Sequence, residues 1–236
     1  RETWGVLVED LKTEKTIFSH HPERRLIPAS NRKLAVFAMA LSTLGPDYRF
    51  KTEFGLGAPH EDGQAHYHGH LIVRSAGDPS LDNPYLGTRQ DLGRLFGGWA
   101  RRLHEMGIAY VHGDLVIDAT AFGPNQNRFP EQWDSIYENK PYAPIPSALS
   151  VAQNVLEVQV RPTEVGQAGV VRIRPGGNGF EVVNRTTTYR RSQSGVSGSW
   201  RDGGKELTLR GGVRRGKNSE VTFIPVSQPL QYVGSL

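Results

Sequence analysis

The chain has 236 residues and a mass of 26.1 kDa, enough to bury a core without covalent staples. It contains no cysteine, which excludes a disulfide framework, a cysteine zinc site, an iron–sulfur cluster and a cysteine nucleophile. The net charge of +4 is uneven: between 151 and 225 there are 12 Lys+Arg against 6 Asp+Glu, a pattern that fits a solvated basic face or an anionic partner.

No apolar run approaches the roughly 18 residues of a membrane span. The opening RETWGVLVED has neither the basic start nor the apolar stretch of a signal peptide. The expectation is a cytoplasmic chain or one whose signal has been removed.

The first residues read as two strands around a turn, with Val6 and Val8 alternating before Lys12–Lys15 and Ile17 and Phe18 after it. Leu34, Phe37, Ala38, Leu41 and Leu44 recur at helical spacing between Pro28 and Gly45-Pro46, predicting a helix over about 30–44. Residues 50–75 read as strands. Residues 88–106 read as an amphipathic helix with Leu92, Leu95, Phe96, Trp99 and Leu103 on one face. YVHGDLVID (110–118) reads as one strand and 119–146 as a long loop carrying Trp133, Tyr137 and Tyr142. After Ser147 come five short strands separated by Gly-rich turns, and SQPLQYVGSL opens a final helix. No internal repeat stands out.

One pattern carries chemistry. Ser30 and Lys33 are three apart, so a helix places them on one face, one turn from each other. A serine hydroxyl is a poor nucleophile until a base removes its proton. Lysine serves as that base when its pKa, ordinarily about 10.4, is lowered. Partial burial and the positive end of a helix both act in that direction. The spacing alone is a weak signal, and by itself it favours Ser30 as a helix cap beside an exposed Lys33.

The surrounding residues add specificity. Trp4-Gly5-Val6, Pro28-Ala29-Ser30-Asn31-Arg32-Lys33-Leu34 and Leu44-Gly45-Pro46-Asp47-Tyr48 follow in order. Gly69-His70-Leu71, Gly77-Asp78-Pro79-Ser80-Leu81, Gly107-Ile108 and Gly113-Asp114-Leu115-Val116-Ile117-Asp118 come next, then Tyr142-Ala143-Pro144, Ser147-Ala148-Leu149-Ser150 and Asn154. Together they resemble the penicillin-binding protein 4 type of D-alanyl-D-alanine carboxypeptidase/endopeptidase, the class C low-molecular-mass penicillin-binding proteins. The resemblance covers essentially the whole chain.

The resemblance implies an α+β fold: the N-terminal portion of a serine transpeptidase/β-lactamase-like domain interrupted by mostly-β inserted domains. Residues 1–50 would be the first catalytic segment, 51–154 an inserted α+β domain, 155–225 an inserted β-rich domain, and 226–236 the start of the return. It implies that Ser30 attacks the carbonyl between two D-alanines with Lys33 as base, and that β-lactams acylate Ser30. It also implies that an acid near the Trp/Tyr-rich loop meets the stem-peptide amine. Asp134 is the nearest acid, so Trp133, Asp134 and Tyr142 are the expected substrate-binding residues, with surface Asp and packing aromatics as the alternative. No cofactor, metal, nucleic acid or transmembrane segment is implied. The partners are peptidoglycan peptides and β-lactams, and the location is periplasmic or otherwise extracytoplasmic.

The chain departs from the family pattern in lacking a Ser-x-Asn element in the expected context and any Lys-Thr-Gly. It is therefore expected to be the N-terminal half of a longer enzyme, with a missing C-terminal half as a further partner. The alternative is a non-catalytic module that binds the wall or a partner.

Three weaker signals remain. His66, His68 and His70 alternate and would share one strand face, a pattern open to zinc or copper. Gly211–Asn218 approaches a phosphate-binding loop but runs into a strand, so it reads as a turn. The arginines between 185 and 215 read as a basic surface, with anionic wall polymers, lipid headgroups or nucleic acid as alternative contacts.

Overall fold

The computed structural model describes residues 4–61, 63–82, 92–123, 129, 133–177, 179–191 and 195–236. The chain divides into two compact units, Arg1–Arg49 and Phe50–Leu236.

In the first unit, β1 (Val6–Asp10) and β2 (Lys15–His20) form an antiparallel hairpin with a register shift at Val8/Glu9. Asp10 builds the turn by accepting from the N–H groups of Lys12 at 2.8 Å and Thr13 at 3.3 Å. The Lys12 bond is the main reason its carboxyl lies below the ordinary aspartate range. A 3-10 turn, Ala29–Asn31, leads into α1 (Arg32–Leu44), two residues later than the periodicity suggests. Gly45 ends the helix, as expected. The stripe at Leu34, Phe37 and Leu41 is exposed, and among the described residues of 4–49 none is buried.

The second unit begins with β3 (Thr52–Leu56), β4 (His66–Tyr67), β5 (Leu71–Ser75), α2 (Leu92–Glu105), β6 (Tyr110–Val111) and β7 (Leu115–Asp118). β3 runs antiparallel to β5, which runs parallel to β7. The parallel pair requires a crossover, which α2 provides. Phe54 of β3 stacks on Trp99 of α2 at 5.3 Å. Residues 88–91 of the expected helix lie outside the described residues.

The expected single strand at 110–118 is two. His66 pairs with Tyr110 and Leu71 with Leu115, so one constant offset links β4–β5 to β6–β7 across a break. At the break Gly69 faces Gly113, and a Cβ on Gly113 would lie 2.2 Å from the Gly69 carbonyl oxygen. The paired stretches read His-Gly-His-Leu (68–71) and His-Gly-Asp-Leu (112–115). The likeness is confined to these four positions.

Two three-stranded sheets follow. The first contains β8 (Val155–Arg161), β9 (Val170–Arg174) and β13 (Glu220–Pro225), in the order β13-β8-β9. The second contains β10 (Glu181–Tyr189), β11 (Gly195–Arg201) and β12 (Glu206–Arg214), in the order β10-β12-β11. Period-two burial directs Leu156, Val158 and Val160 of β8 inward, where they share one core with Leu207, Leu209, Val213 and Ile224. Where the sheets meet, β11 passes so close to β13 that a Cβ on Gly198 would lie 2.2 Å from the Ile224 side chain. β11 is the strand the sequence reading misses. Its GVSGSWR has weak strand propensity, and it is held by pairing with β12 and by Trp200 donating to the Pro225 carbonyl at 2.6 Å. The segment Gly211–Asn218 is the β12 end and the following turn, as expected.

The chain closes with α3 (Pro229–Gly234), whose Tyr232 and Val233 are buried within the Phe50–Leu236 unit. Burial, and then Asp82, push the Tyr232 phenol above its ordinary range, and it donates to the Pro175 carbonyl at 2.7 Å.

Candidate active site

Ser30 sits in the 3-10 turn at the entry to α1, and Lys33 follows on the first helical turn. Both are exposed. Asn31 rather than Ser30 occupies the cap position, and neither makes a side-chain capping bond. The Ser30 hydroxyl is thus not consumed by the helix end. The partial burial expected of Lys33 is not supplied here.

A feature that sequence reasoning missed precedes the serine. Ala29 has φ +44°, the left-handed region that a Cβ disfavours. Such a conformation costs on the order of 1–2 kcal/mol and clusters at functional sites. It turns the chain sharply between Pro28 and Ser30, so the serine leads the helix.

The aromatic loop lies in the second unit. Trp133 meets Tyr137 edge-on at 6.4 Å, and Tyr137 meets Tyr142 at 6.4 Å, so Tyr137 joins the two expected residues into one row. All three rings are exposed. Asp134 caps the local 3-10 turn Ser135–Tyr137, its Oδ1 accepting from the Ile136 N–H at 3.0 Å. Tyr142 also borders a cavity of about 1130 Å³ lined by Leu92, Phe96, Gln153, Glu157, Arg174 and Phe223, among others.

The other motifs of the resemblance are joints. Asp78 accepts from the Ser80 N–H at 2.8 Å and hydroxyl at 2.6 Å, while Gly77 and Asp78 bind the strand-like stretch at Ala148 and Leu149. Asn154 is buried and donates to the Ile145 carbonyl at 2.9 Å and to the Ser147 and Ser150 hydroxyls at 3.0 and 3.1 Å. Asp118 ends β7, accepting from Thr120 and pairing with Arg74 of β5 at 2.7 Å. The Thr120 hydroxyl and then the Arg74 guanidinium hold its carboxyl down at about 2.

The histidines do not gather as expected. His66 and His68 come together with His112, whereas His70 turns to Asp114, whose N–H donates to its Nδ1 at 3.0 Å. The break between β4 and β5 ends the single-strand alternation that would have put His66, His68 and His70 on one face.

The model of the D-Ala-D-Ala carboxypeptidase 3 (S13) family matches residues 1–236. A D-alanyl-D-alanine carboxypeptidase of Actinomadura sp. is 32% identical over 78% of this chain and 33% of its own length. One of Haemophilus influenzae is 26% identical over 70% of this chain and 33% of its own length. The chain thus spans about a third of the curated relatives it matches. The crystal structure of penicillin-binding protein 4 from Haemophilus influenzae superposes on 97% of this chain and 48% of its own, with a TM-score of 0.75 at 19% identity. A second structure of that protein, complexed with a β-lactam, gives a TM-score of 0.68 at 19% identity. The fold is therefore the α+β fold of penicillin-binding protein 4 over the aligned part. No helix among the described residues is long and apolar enough to cross a membrane. The chain belongs to the D-Ala-D-Ala carboxypeptidase 3 (S13) family.

Proposed function

We propose that this chain contributes the nucleophile to a serine-type D-alanyl-D-alanine carboxypeptidase/endopeptidase that trims peptidoglycan stem peptides outside the cytoplasmic membrane. The observation that carries the proposal is Ser30 with Lys33 one turn away, led into α1 by the left-handed Ala29. The family match over the same residues supports it.

In the proposed reaction the Ser30 Oγ attacks the carbonyl carbon of the penultimate D-alanine while Lys33 takes its proton. The Ser30 N–H and a second donor hold the oxyanion. The tetrahedral intermediate expels the terminal D-alanine amine, which takes the proton back, and leaves an ester on Ser30. Water then attacks that ester and restores the hydroxyl. A β-lactam follows the first half of the same path, its ring amide standing in for the peptide bond. The Trp133–Tyr137–Tyr142 row, with Asp134 beside it, is proposed to meet the stem peptide. In this reading 1–50 opens the catalytic domain, 51–154 and 155–225 are its insertions, and 226–236 leads back to it.

The second reading is a non-catalytic module. It is favoured by the exposure of the α1 stripe and by the absence of buried residues among those described in 4–49. An enclosed acyl site is not built from that unit alone.

Intact mass after incubation with benzylpenicillin, followed by peptide mapping, separates the two. The proposal expects a stoichiometric adduct on Ser30 that is absent in Ser30→Ala, with the polypeptide that completes the site added where needed. A folded, completed protein that stays unmodified rejects the enzyme reading.

A further inference from the structure

The sheet β10-β12-β11 has an inner face in the core and an outer face in solvent. Register places Arg185 of β10 directly beside Arg210 of β12, with Ser197 of β11 on the other side. Both arginines are exposed. Adjacent strands are about 4.8 Å apart, so two like charges stand side by side, an arrangement that costs stability. Neither has a carboxylate partner among the described residues.

The same strands end in more positive charge. β10 runs out through Tyr189 into Arg190 and Arg191, and β12 through Arg214 into Arg215. The Arg215 N–H donates to the Tyr189 carbonyl at 2.7 Å, which holds the two strand ends together. Arg214 lies four residues beyond Arg210 on the same strand, about 13 Å away. Between Arg210 and Arg214 the outer face carries Thr187 and Gly212; on the other side of Arg210 it carries Ser199, Thr208 and Val183 and ends at Glu181 and Glu206, so the positive charge lies toward the Arg190, Arg191 and Arg215 end.

We propose that this outer face binds a linear phosphodiester polymer that carries no bases. The choice of arginine over lysine fits phosphate, whose oxygens accept the bidentate guanidinium fork. Seven of the nine basic residues between 181 and 217 are arginine. Small residues let a chain lie against the sheet, and hydroxyls add phosphate contacts. A nucleic acid would use aromatic stacking platforms. The one ring on this face, Tyr189, is laid over Gly212, where a Cβ would lie 2.0 Å from it, while Trp200 points into the core. A bilayer surface would call for protruding apolar side chains beside the charges, and the one aliphatic residue on this face, Val183, is half-buried.

The test is binding of fluorescently labelled poly(glycerol phosphate) to the chain, by anisotropy, at 50 and 200 mM salt. The expected result is binding that weakens with salt, that falls at least about tenfold in Arg185→Gln/Arg210→Gln, and whose salt slope drops by about 1.4 in that variant. The control Arg161→Gln/Arg172→Gln removes the same charge from the other sheet and should leave binding within about twofold. Far-UV circular dichroism shows that the variants fold. The proposal is overturned by no binding, by equal loss in both double variants, or by tighter binding of oligo(dT), of hyaluronate or of anionic phospholipid vesicles.

Discussion

His66 Nδ1 lies 2.8 Å from His112 Nε2, and their ring planes are within 17° of each other. The 5.1 Å between ring centroids is that contact plus one ring radius at each end, so the rings meet edge to edge in one line. This is an imidazole–imidazole hydrogen bond joining the start of β4 to the turn after β6. It needs one ring nitrogen with a proton and one without. A transition metal sits about 2 Å from each imidazole nitrogen, so no ion fits in line within this contact. His68 stacks on the same His112 ring at 4.5 Å. A double-mutant cycle with His66→Ala and His112→Ala should give a coupling of roughly 0.5 kcal/mol at neutral pH, at the low end for an exposed hydrogen bond. Denaturant unfolding of the parent, the two single variants and the double variant measures it, and a coupling of zero contradicts the in-line bond.

Asp118 ties the end of β7 to β5 through Arg74 and starts the Thr120 turn. Its folded pKa, about 2, is below the ordinary value of 3.8. A carboxylate depressed on folding contributes stability above its unfolded pKa, and that contribution disappears as pH falls through the folded one. The window is therefore about pH 4 down to about 2. Asp118→Asn should lower the melting temperature at pH 7 and flatten its fall across that window. A variant whose melting curve stays parallel to the parent's down to pH 2 removes Asp118 from the account.

Most elements are legible in chain order, and the others are hidden for identifiable physical reasons. Period-two alternation in β8 and the heptad-like stripe of α1 are one-dimensional signals, legible without the fold. β11 is not, because it is short of strand-forming residues and its Gly198 serves the close approach to Ile224 rather than strand propensity. The break at Gly69 and Gly113 is likewise a relation between two strands 44 residues apart in register. At the site, Ser30 and Lys33 are readable from spacing and context. The left-handed Ala29 is not, because alanine is no signal for positive φ. Tyr137 was visible in the loop, but its place between Trp133 and Tyr142 is a three-dimensional fact.

Two glycines separate packing from propensity. Gly113→Ala would push a methyl group into the Gly69 backbone at 2.2 Å, and backbone cannot rotate away. The expected cost is about 1–3 kcal/mol. Gly97 lies within α2, where an added Cβ meets nothing within 4 Å. Gly97→Ala should stabilise by about 0.5–1 kcal/mol, through helix propensity alone. Thermal or urea unfolding of the two variants should move in opposite directions, and a common direction would show that the break at 69/113 is soft.

The α1 stripe gives the last prediction. Leu34 is 74% exposed and Phe37 71%, on a helix whose spacing is that of a core-facing element. Exposed apolar groups that touch nothing contribute little to stability, so Phe37→Gln should change unfolding by no more than about 0.5 kcal/mol. If the stripe seats the rest of a catalytic domain, the same substitution should reduce β-lactam acylation of the completed enzyme by an order of magnitude or more. It does so without touching Ser30 or Lys33, because it loosens the element that carries both. Ala29→Gly is the companion test. It relieves the left-handed strain and should raise stability by about 1 kcal/mol, while acylation slows because the turn before Ser30 is no longer held. Acylation rates measured by intact mass, read beside unfolding curves, separate these effects. A Phe37→Gln enzyme that is unstable yet acylates at the parent rate would place the stripe in the fold of this chain rather than in an interface with the remainder.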